Sequence, residues 1–251
     1  AGNTVSTQYL DASRQVLVTQ ESGLVTERTF SVRGELLTES LQATSETTRT
    51  RGFVYDARGQ LVATTYPNGS LSVQQYDAAG RLWVSVSATG QVTEYRRDSE
   101  GRVLQEIRYD SALDMTGWLS DMDGQSTLAV TADDILSQVS EKTTHRIITT
   151  EYDARGRLHR VIDGEGRVAE TQYDHQDRQV GVLSYTEGDK ANAVSASQTY
   201  DAAGRLESQV DADGYRISHL YDAAGRLVET KSYQRANVAK TSGLVDRVQT
   251  F

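Results

Sequence analysis

One short phrase returns through this chain, and within a block its copies stand 21 residues apart: Tyr-Asp, two residues, Gly, then Arg-Leu. It appears as Tyr55-Asp56 with Gly59, where Gln60 takes the Arg place, and as Tyr76-Asp77 with Gly80 and Arg81. It returns as Tyr152-Asp153 with Gly156 and Arg157, Tyr200-Asp201 with Gly204 and Arg205, and Tyr221-Asp222 with Gly225 and Arg226. A fixed period decides the architecture before any local motif is read. It predicts a repeat-built structure whose function belongs to the array and not to one pocket.

The glycines set the metre. Gly59, Gly69, Gly80, Gly90 and Gly101 follow one another at steps of ten or eleven residues, and Gly156, Gly166, Gly204, Gly214 and Gly225 keep the beat. Each unit thus holds two turns and two strands, the pattern of an antiparallel meander of hairpins. Glycine suits such corners because it accepts positive φ without a steric cost. The Asp of the phrase can accept backbone N–H groups two residues on, as in an Asx-turn. Between corners apolar and polar residues alternate: Leu82, Val84 and Val86 point one way, Ser85 and Ser87 the other. Trp83 then faces away from Leu82 and Val84.

Weaker copies extend the register. Asp98 follows Asp77 by 21 residues, Tyr173-Asp174 keeps the opening with Asp177 where Gly is expected, and Tyr9 and Phe30 stand 21 apart. The sheet is therefore expected to begin near residue 5. Two stretches break the beat. Residues 111–150 form an insertion, with a short helix near 131–140: Thr131 caps it, Asp133 and Asp134 favour its N-terminal end, and Ile135, Leu136 and Val139 form its apolar stripe. Residues 186–195 read as a long hairpin loop. The domain reading is hairpins over 1–110, the insertion over 111–150, hairpins over 151–232 and the start of a second insertion over 233–251, where Thr241-Ser242-Gly243-Leu244 echoes Met115-Thr116-Gly117-Trp118. The fold class is all-β, a curved antiparallel sheet of consecutive hairpins with one short helical insertion.

Composition narrows the functional classes. Hydrophobic residues make up 37% of the chain, and 13 of its aromatics are Tyr against 3 Phe and 2 Trp, which argues against a thick apolar core. A net charge of −9 argues against nucleic acid or anionic membrane as partner. No run reaches the roughly 20 apolar residues of a membrane span. There is no Cys, so disulfides and thiolate metal sites are excluded. The start, Ala1-Gly2-Asn3-Thr4, lacks the basic and apolar regions of a signal peptide, and the chain opens and closes in mid-pattern like a piece of a longer one.

No catalytic constellation emerges. The recurring aspartates sit where turns use them, which leaves a glycosidase-like carboxylate pair without candidates. Asp211-Ala212-Asp213-Gly214 and Asp121-Met122-Asp123-Gly124 resemble calcium loops but lack the later Glu. His145, His159, His175 and His219 show no zinc-ligand spacing, and no Gly-x-Ser-x-Gly elbow is present. The reading is therefore not an enzyme, with no cofactor and no metal. Trp83 and Trp118 are the candidate contact residues, with packing as the plainer alternative for each.

The five copies of Tyr-Asp-x-x-Gly-(Arg/Gln)-Leu closely resemble the YD-repeat, or RHS-repeat, family, over roughly residues 5–110 and 151–232. The family includes bacterial polymorphic toxins, the B and C components of insecticidal toxin complexes, and the teneurins. The resemblance implies a long β-sheet spiralling into a hollow shell, around a toxin effector in the bacterial members and in support of adhesion in the teneurins. The bacterial side is the closer one, since Ala-Ala-Gly-Arg-Leu recurs. It implies a wall segment of a secreted or surface-delivered protein, with the remaining shell strands and an enclosed effector or cargo as partners. Edge-to-edge self-association is open to an isolated sheet. The self-cleaving Asp-Pro segment of toxin shells has no counterpart, because the one proline, Pro67, follows Tyr66. The alternative reading is an adhesion module that binds a glycan or a protein through the exposed sheet face and the insert loops.

Overall fold

The computed structural model describes residues 5–20, 22–43, 47–122, 125–140, 145–233 and 245–251. The chain divides into two units, residues 1–146 and 147–251. The first is a meander of ten strands: β1 (Val5–Leu10), β2 (Gln15–Gln20), β3 (Val25–Phe30), β4 (Leu36–Gln42), β5 (Arg49–Tyr55), β6 (Leu61–Thr65), β7 (Leu71–Tyr76), β8 (Leu82–Val86), β9 (Gln91–Arg97) and β10 (Val103–Ala112). Each pairs antiparallel with the next. A small hairpin of β11 (Leu119–Met122) and β12 (Gln125–Leu128) follows, then helix α1 (Ala132–Ser140). The second meander comprises β13 (His145–Tyr152), β14 (Leu158–Ile162), β15 (Arg167–Tyr173), β16 (Gln179–Thr186), β17 (Val194–Tyr200), β18 (Leu206–Val210), β19 (Arg216–Tyr221), β20 (Leu227–Tyr233) and β21 (Val245–Thr250). It too pairs antiparallel in chain order.

The glycine metre is thus a series of hairpin corners, all-β apart from α1 and two 3-10 turns. Strand β10 runs on to Ala112, and the 186–195 loop carries a 3-10 turn at Lys190–Asn192. Of the tail expected to open a second insertion, Val245–Thr250 forms β21 against β20, while the echo at 241–244 lies outside the described residues.

The two kinds of corner differ in register. At corners such as Thr65–Leu71 and Ile162–Val168 the strands pair without a shift. At each Tyr-Asp corner the outgoing strand holds one extra residue. Val54 pairs with Ala63 and Tyr55 with Leu61, skipping Val62; Gln75 pairs with Val84 and Tyr76 with Leu82, skipping Trp83. Leu37, Leu104, His159, Val180, Glu207 and Val228 are skipped in the same way. Such a bulge bends its strand and sharpens the local twist. Because hairpin corners alternate between the two margins of a meander, the bulges of each unit fall on one margin.

The core lies in the first unit. Leu71, Val73 and Gln75 share one face of β7, and Val73 and Gln75 stand opposite Val86 and Val84 on β8. Val73, Val84 and Val92 are fully buried, Val86 essentially so. The insertion covers this face: Gln75 Nε2 donates to Val130 O at 2.8 Å, just before α1, and Ile135 and Val139 of α1 have no exposed surface. Thr131 and Asp134 bond reciprocally at the helix start, Thr131 N and Oγ1 to Asp134 Oδ2 and Asp134 N to Thr131 Oγ1. The buried stripe is Ala132, Ile135 and Val139; Leu136 is half-buried.

Residues 76 apart hold matching places in the two units. Tyr109 Oη donates to the buried Glu94 at 2.7 Å, and Tyr185 Oη to the buried Glu170 at 2.8 Å. Gly90 O and Gly166 O also each accept a later main-chain N–H, from Leu113 and Glu187, though these two donors stand 74 apart. Yet Arg160 stands in the place of Val84 and Glu151 in that of Gln75, bonded to each other at 3.2 Å. The face that is apolar and covered in the first unit is polar at this point in the second. The apolar face of the first unit thus has no full counterpart at this point in the second.

Trp118 is buried, only 6% exposed, so it is not placed as a surface contact. Trp118→Ala is expected to destabilise the protein by about 3–5 kcal/mol, the usual cost of emptying a buried aromatic site. Urea unfolding followed by far-UV circular dichroism checks this; a loss below about 1 kcal/mol would mean that the insertion does not pack as described.

Candidate functional site: the tyrosine-aspartate ladder

The Tyr-Asp corners share one internal wiring, complete where arginine follows the glycine. In the Asp77 corner, Asp77 N bonds Arg81 O at 2.8 Å and Gly80 N bonds Asp77 O at 2.9 Å, closing a five-residue loop. Asp77 Oδ1 accepts from Ala79 N and Arg81 N, both at 2.9 Å, and Oδ2 accepts Arg81 Nε at 2.7 Å. Asp153 with Arg157, Asp201 with Arg205, and Asp222 with Arg226 repeat these bonds. Asp56 keeps the main-chain part with Arg58 N and Gln60 N. Gly80 sits at φ +79°, a region that costs an L side chain about 1–2 kcal/mol. Asp177 takes that conformation at φ +64° without glycine, and its carboxylate accepts Arg155 Nη1 and Arg157 Nη1 from the preceding corner.

Successive corners are then tied to one another. The tyrosine of one repeat donates its hydroxyl to the carbonyl of the repeat before: Tyr76 to Leu61 at 2.9 Å, Tyr173 to Leu158 at 2.8 Å, Tyr200 to Gln179 at 3.0 Å and Tyr221 to Leu206 at 3.0 Å. The arginine of the earlier repeat lies over the ring of the later tyrosine. Arg157 and Arg178 stand 4.3 Å from the centroids of Tyr173 and Tyr200, and Arg205 4.6 Å from Tyr221. Each rung is therefore carboxylate, guanidinium, aromatic ring and carbonyl in sequence. Gln60, lacking a charge, reaches the next corner through Nε2 to Gly80 O at 2.9 Å. Arg97 stands in the tyrosine place 21 residues after Tyr76, and its Nη1 donates to Leu82 O at 2.7 Å.

The phrase residues Tyr55, Asp56, Gly59, Tyr152 and Gly156 join Gly204 and Gly225 in these corners, along the bulged margin of their own unit. The aspartates of these corners are engaged by arginine and backbone donors. Asp153 is held down to about 2, first by the Arg157 guanidinium, then by the Arg157 and Arg155 main-chain N–H groups. Asp77, Asp201 and Asp222 are lowered, first by the N–H of their arginine and then by its guanidinium. In Asp98 and Asp174 partial burial opposes the shift and the arginine outweighs it. Asp211 Oδ1 is likewise engaged by Asp213 N and Tyr215 N, so the calcium-like Asp211 loop is a turn. The buried Glu94 and Glu170 were not singled out by the sequence. Glu94 is bonded to Arg96 and Tyr109, Glu170 to Lys190 and Tyr185, and burial with the Glu94 bond pushes Tyr109 up to about 12. Their signal was the shared place before a tyrosine 15 residues on, visible only once the 76-residue offset is known.

The RHS-repeat family model matches residues 30–71, 55–89, 152–190 and 200–235, together more than half of the chain. The chain belongs to the RHS-repeat family. Among solved structures, the crystal structure of TcdB2-TccC3 without its hypervariable C-terminal region is similar over 90% of this chain, at 14% identity and a TM-score of 0.50. The match spans only 13% of that longer chain. The RHS-repeat sheet is thus shared in fold. The Tc holotoxin pore of Photorhabdus luminescens matches over 98% of this chain and 17% of its own at 14% identity, with a TM-score of 0.36, too slight a likeness to read further. No curated protein matches the chain.

Two outcomes are expected of the RHS ladder. An aspartate whose folded pKa is lowered contributes stability that is complete above its unfolded value near 3.9 and disappears as pH falls through the folded value. Urea midpoints are therefore expected to hold from pH 7 to about 5 and to drop between about pH 4 and 2; Asp153→Asn should flatten that drop. A midpoint unmoved by acid would contradict the ladder. Second, Gly69→Ala meets open space and Gly101→Ala meets the Arg81 guanidinium, both at positive φ. Each should cost about 1–2 kcal/mol for the backbone, with Gly101→Ala the worse of the two in thermal melts.

Proposed function

We propose that this chain is a wall segment of an RHS-repeat shell that encloses a toxin or other cargo within a large secreted or surface-delivered bacterial protein. The observation that carries the reading is the ladder itself. The phrase residues are spent on joining one corner to the next, and their carboxylates are occupied by arginine and backbone donors. A wall needs this and no more: a continuous hydrogen-bonded sheet whose polar groups satisfy one another and whose strands cannot be threaded by a protease. The partners are the neighbouring strands of the parent shell and the molecule it holds. The mechanism is steric sequestration without catalysis.

The reading makes a direct demand on the parent protein. Under limited proteolysis a fragment larger than this chain should survive together with the enclosed segment. A variant carrying Asp77→Ala, Asp153→Ala and Asp201→Ala should release that segment to digestion at protease levels the wild type withstands. An enclosed segment digested equally fast in both proteins would remove the basis for a shell.

A further inference from the structure

The ladder has one irregular rung, and it coincides with the largest aromatic group on the outward sheet face. At Arg97 a cation replaces the tyrosine that would cover Arg81. The Arg81 side chain is 40% exposed, against 25% for Arg157 and Arg178 and 32% for Arg205, which lie over Tyr173, Tyr200 and Tyr221. Arg81 and Arg97 open onto one shallow hollow of about 570 Å³, walled by Trp83 and Tyr95. Trp83 is the bulged residue of its hairpin, where other repeats carry Val62, Leu104, Val180 or Val228. Since Val84 pairs with Glu94 toward the core, Trp83 and Tyr95 neighbour each other on the opposite face.

The charges in the hollow do not balance. Asp77 is bonded to Arg81, and Asp98 to Arg102. Arg97 donates to the carbonyls of Leu82 and Tyr95 and lies 5.6 Å from the Tyr95 ring, so among the described residues no carboxylate neutralises it. We propose that this hollow binds a carboxylated sugar of an acidic glycan, with the sugar ring stacked on Trp83 and Tyr95 and its carboxylate on Arg97. Indole and phenol faces take the C–H face of a sugar ring, and a guanidinium takes a carboxylate through paired N–H donors. A peptide has no strand edge to join here, because β8 is paired on both sides, with β7 and β9. The overall charge of −9 does not forbid an anion, since distant surface charges are screened over about 8 Å at physiological salt while Arg97 touches the ligand. The site takes in one irregular rung of the ladder, at Arg97, and does not depend on the shell reading.

The test is saturation-transfer NMR and titration calorimetry on the whole chain, with sialyllactose and a glucuronate-containing tetrasaccharide as probes and lactose as the neutral control. At least one acidic glycan is expected to bind about tenfold or more tighter than lactose. Trp83→Ala and Arg97→Tyr should each weaken that binding by about tenfold. Arg97→Tyr restores the regular rung, so its melting temperature should equal or exceed that of the wild type; Arg97→Gln serves as a second variant should the tyrosine disturb folding. The assignment is overturned if neither acidic glycan binds below about 10 mM, if lactose binds as well as they do, or if binding survives both Trp83→Ala and the folded Arg97 variant.

Discussion

The structure rests on a carboxylate that serves two masters within five residues. The Asp of each phrase orders the turn through its Oδ1 and fixes the following arginine through its Oδ2, as Asp77 does with Ala79, Arg81 and the Arg81 guanidinium. Without the first bond the corner has no defined geometry; without the second the arginine has no fixed place over the next tyrosine. Exposed ion pairs are individually weak. Here the pair gains importance because it positions a group that meets the neighbouring repeat, converting a local turn into a link between hairpins.

That arrangement explains how a chain poor in apolar residues holds many strands. Among the described residues only the first unit has a substantial buried apolar face; the insertion meets it at the Gln75–Val130 bond and has Trp118, Ile135 and Val139 buried. The second unit has Val168 as its sole buried aliphatic side chain among the described residues, with Glu170 beside it in the sequence pattern and Arg160 where a valine stands in the first. Its cohesion falls more heavily on backbone pairing and on rungs such as Arg157–Tyr173 and Arg178–Tyr200. One sequence pattern therefore supports two balances of force.

Much of the fold was legible in the sequence because its signals are local. Positive φ at Gly59, Gly80 and Gly204 follows from the residue itself, and the Asx-type bonds of Asp56 and Asp201 span four residues. Helix α1 was readable for the same reason, from Thr131 and the two aspartates after it. What stayed hidden depends on pairing across strands. The bulges at Val62, Trp83 and Val180 are invisible in one strand, since alternation assumes a perfect register. The tyrosine hydroxyl bonds link residues 15 or 21 apart, and nothing in the phrase alone points to the carbonyl as the acceptor. Trp118 illustrates the last limit: a lone indole in a loop carries no mark of whether something folds over it.

The rungs also determine how such a ribbon would come apart. Each tyrosine of the ladder grips the repeat before it, as Tyr221 does through the Leu206 carbonyl. Linkage confined to nearest neighbours makes a linear assembly open as a zip does, tooth by tooth, each released after the one beside it. The interior teeth are thus guarded by their position as much as by their chemistry.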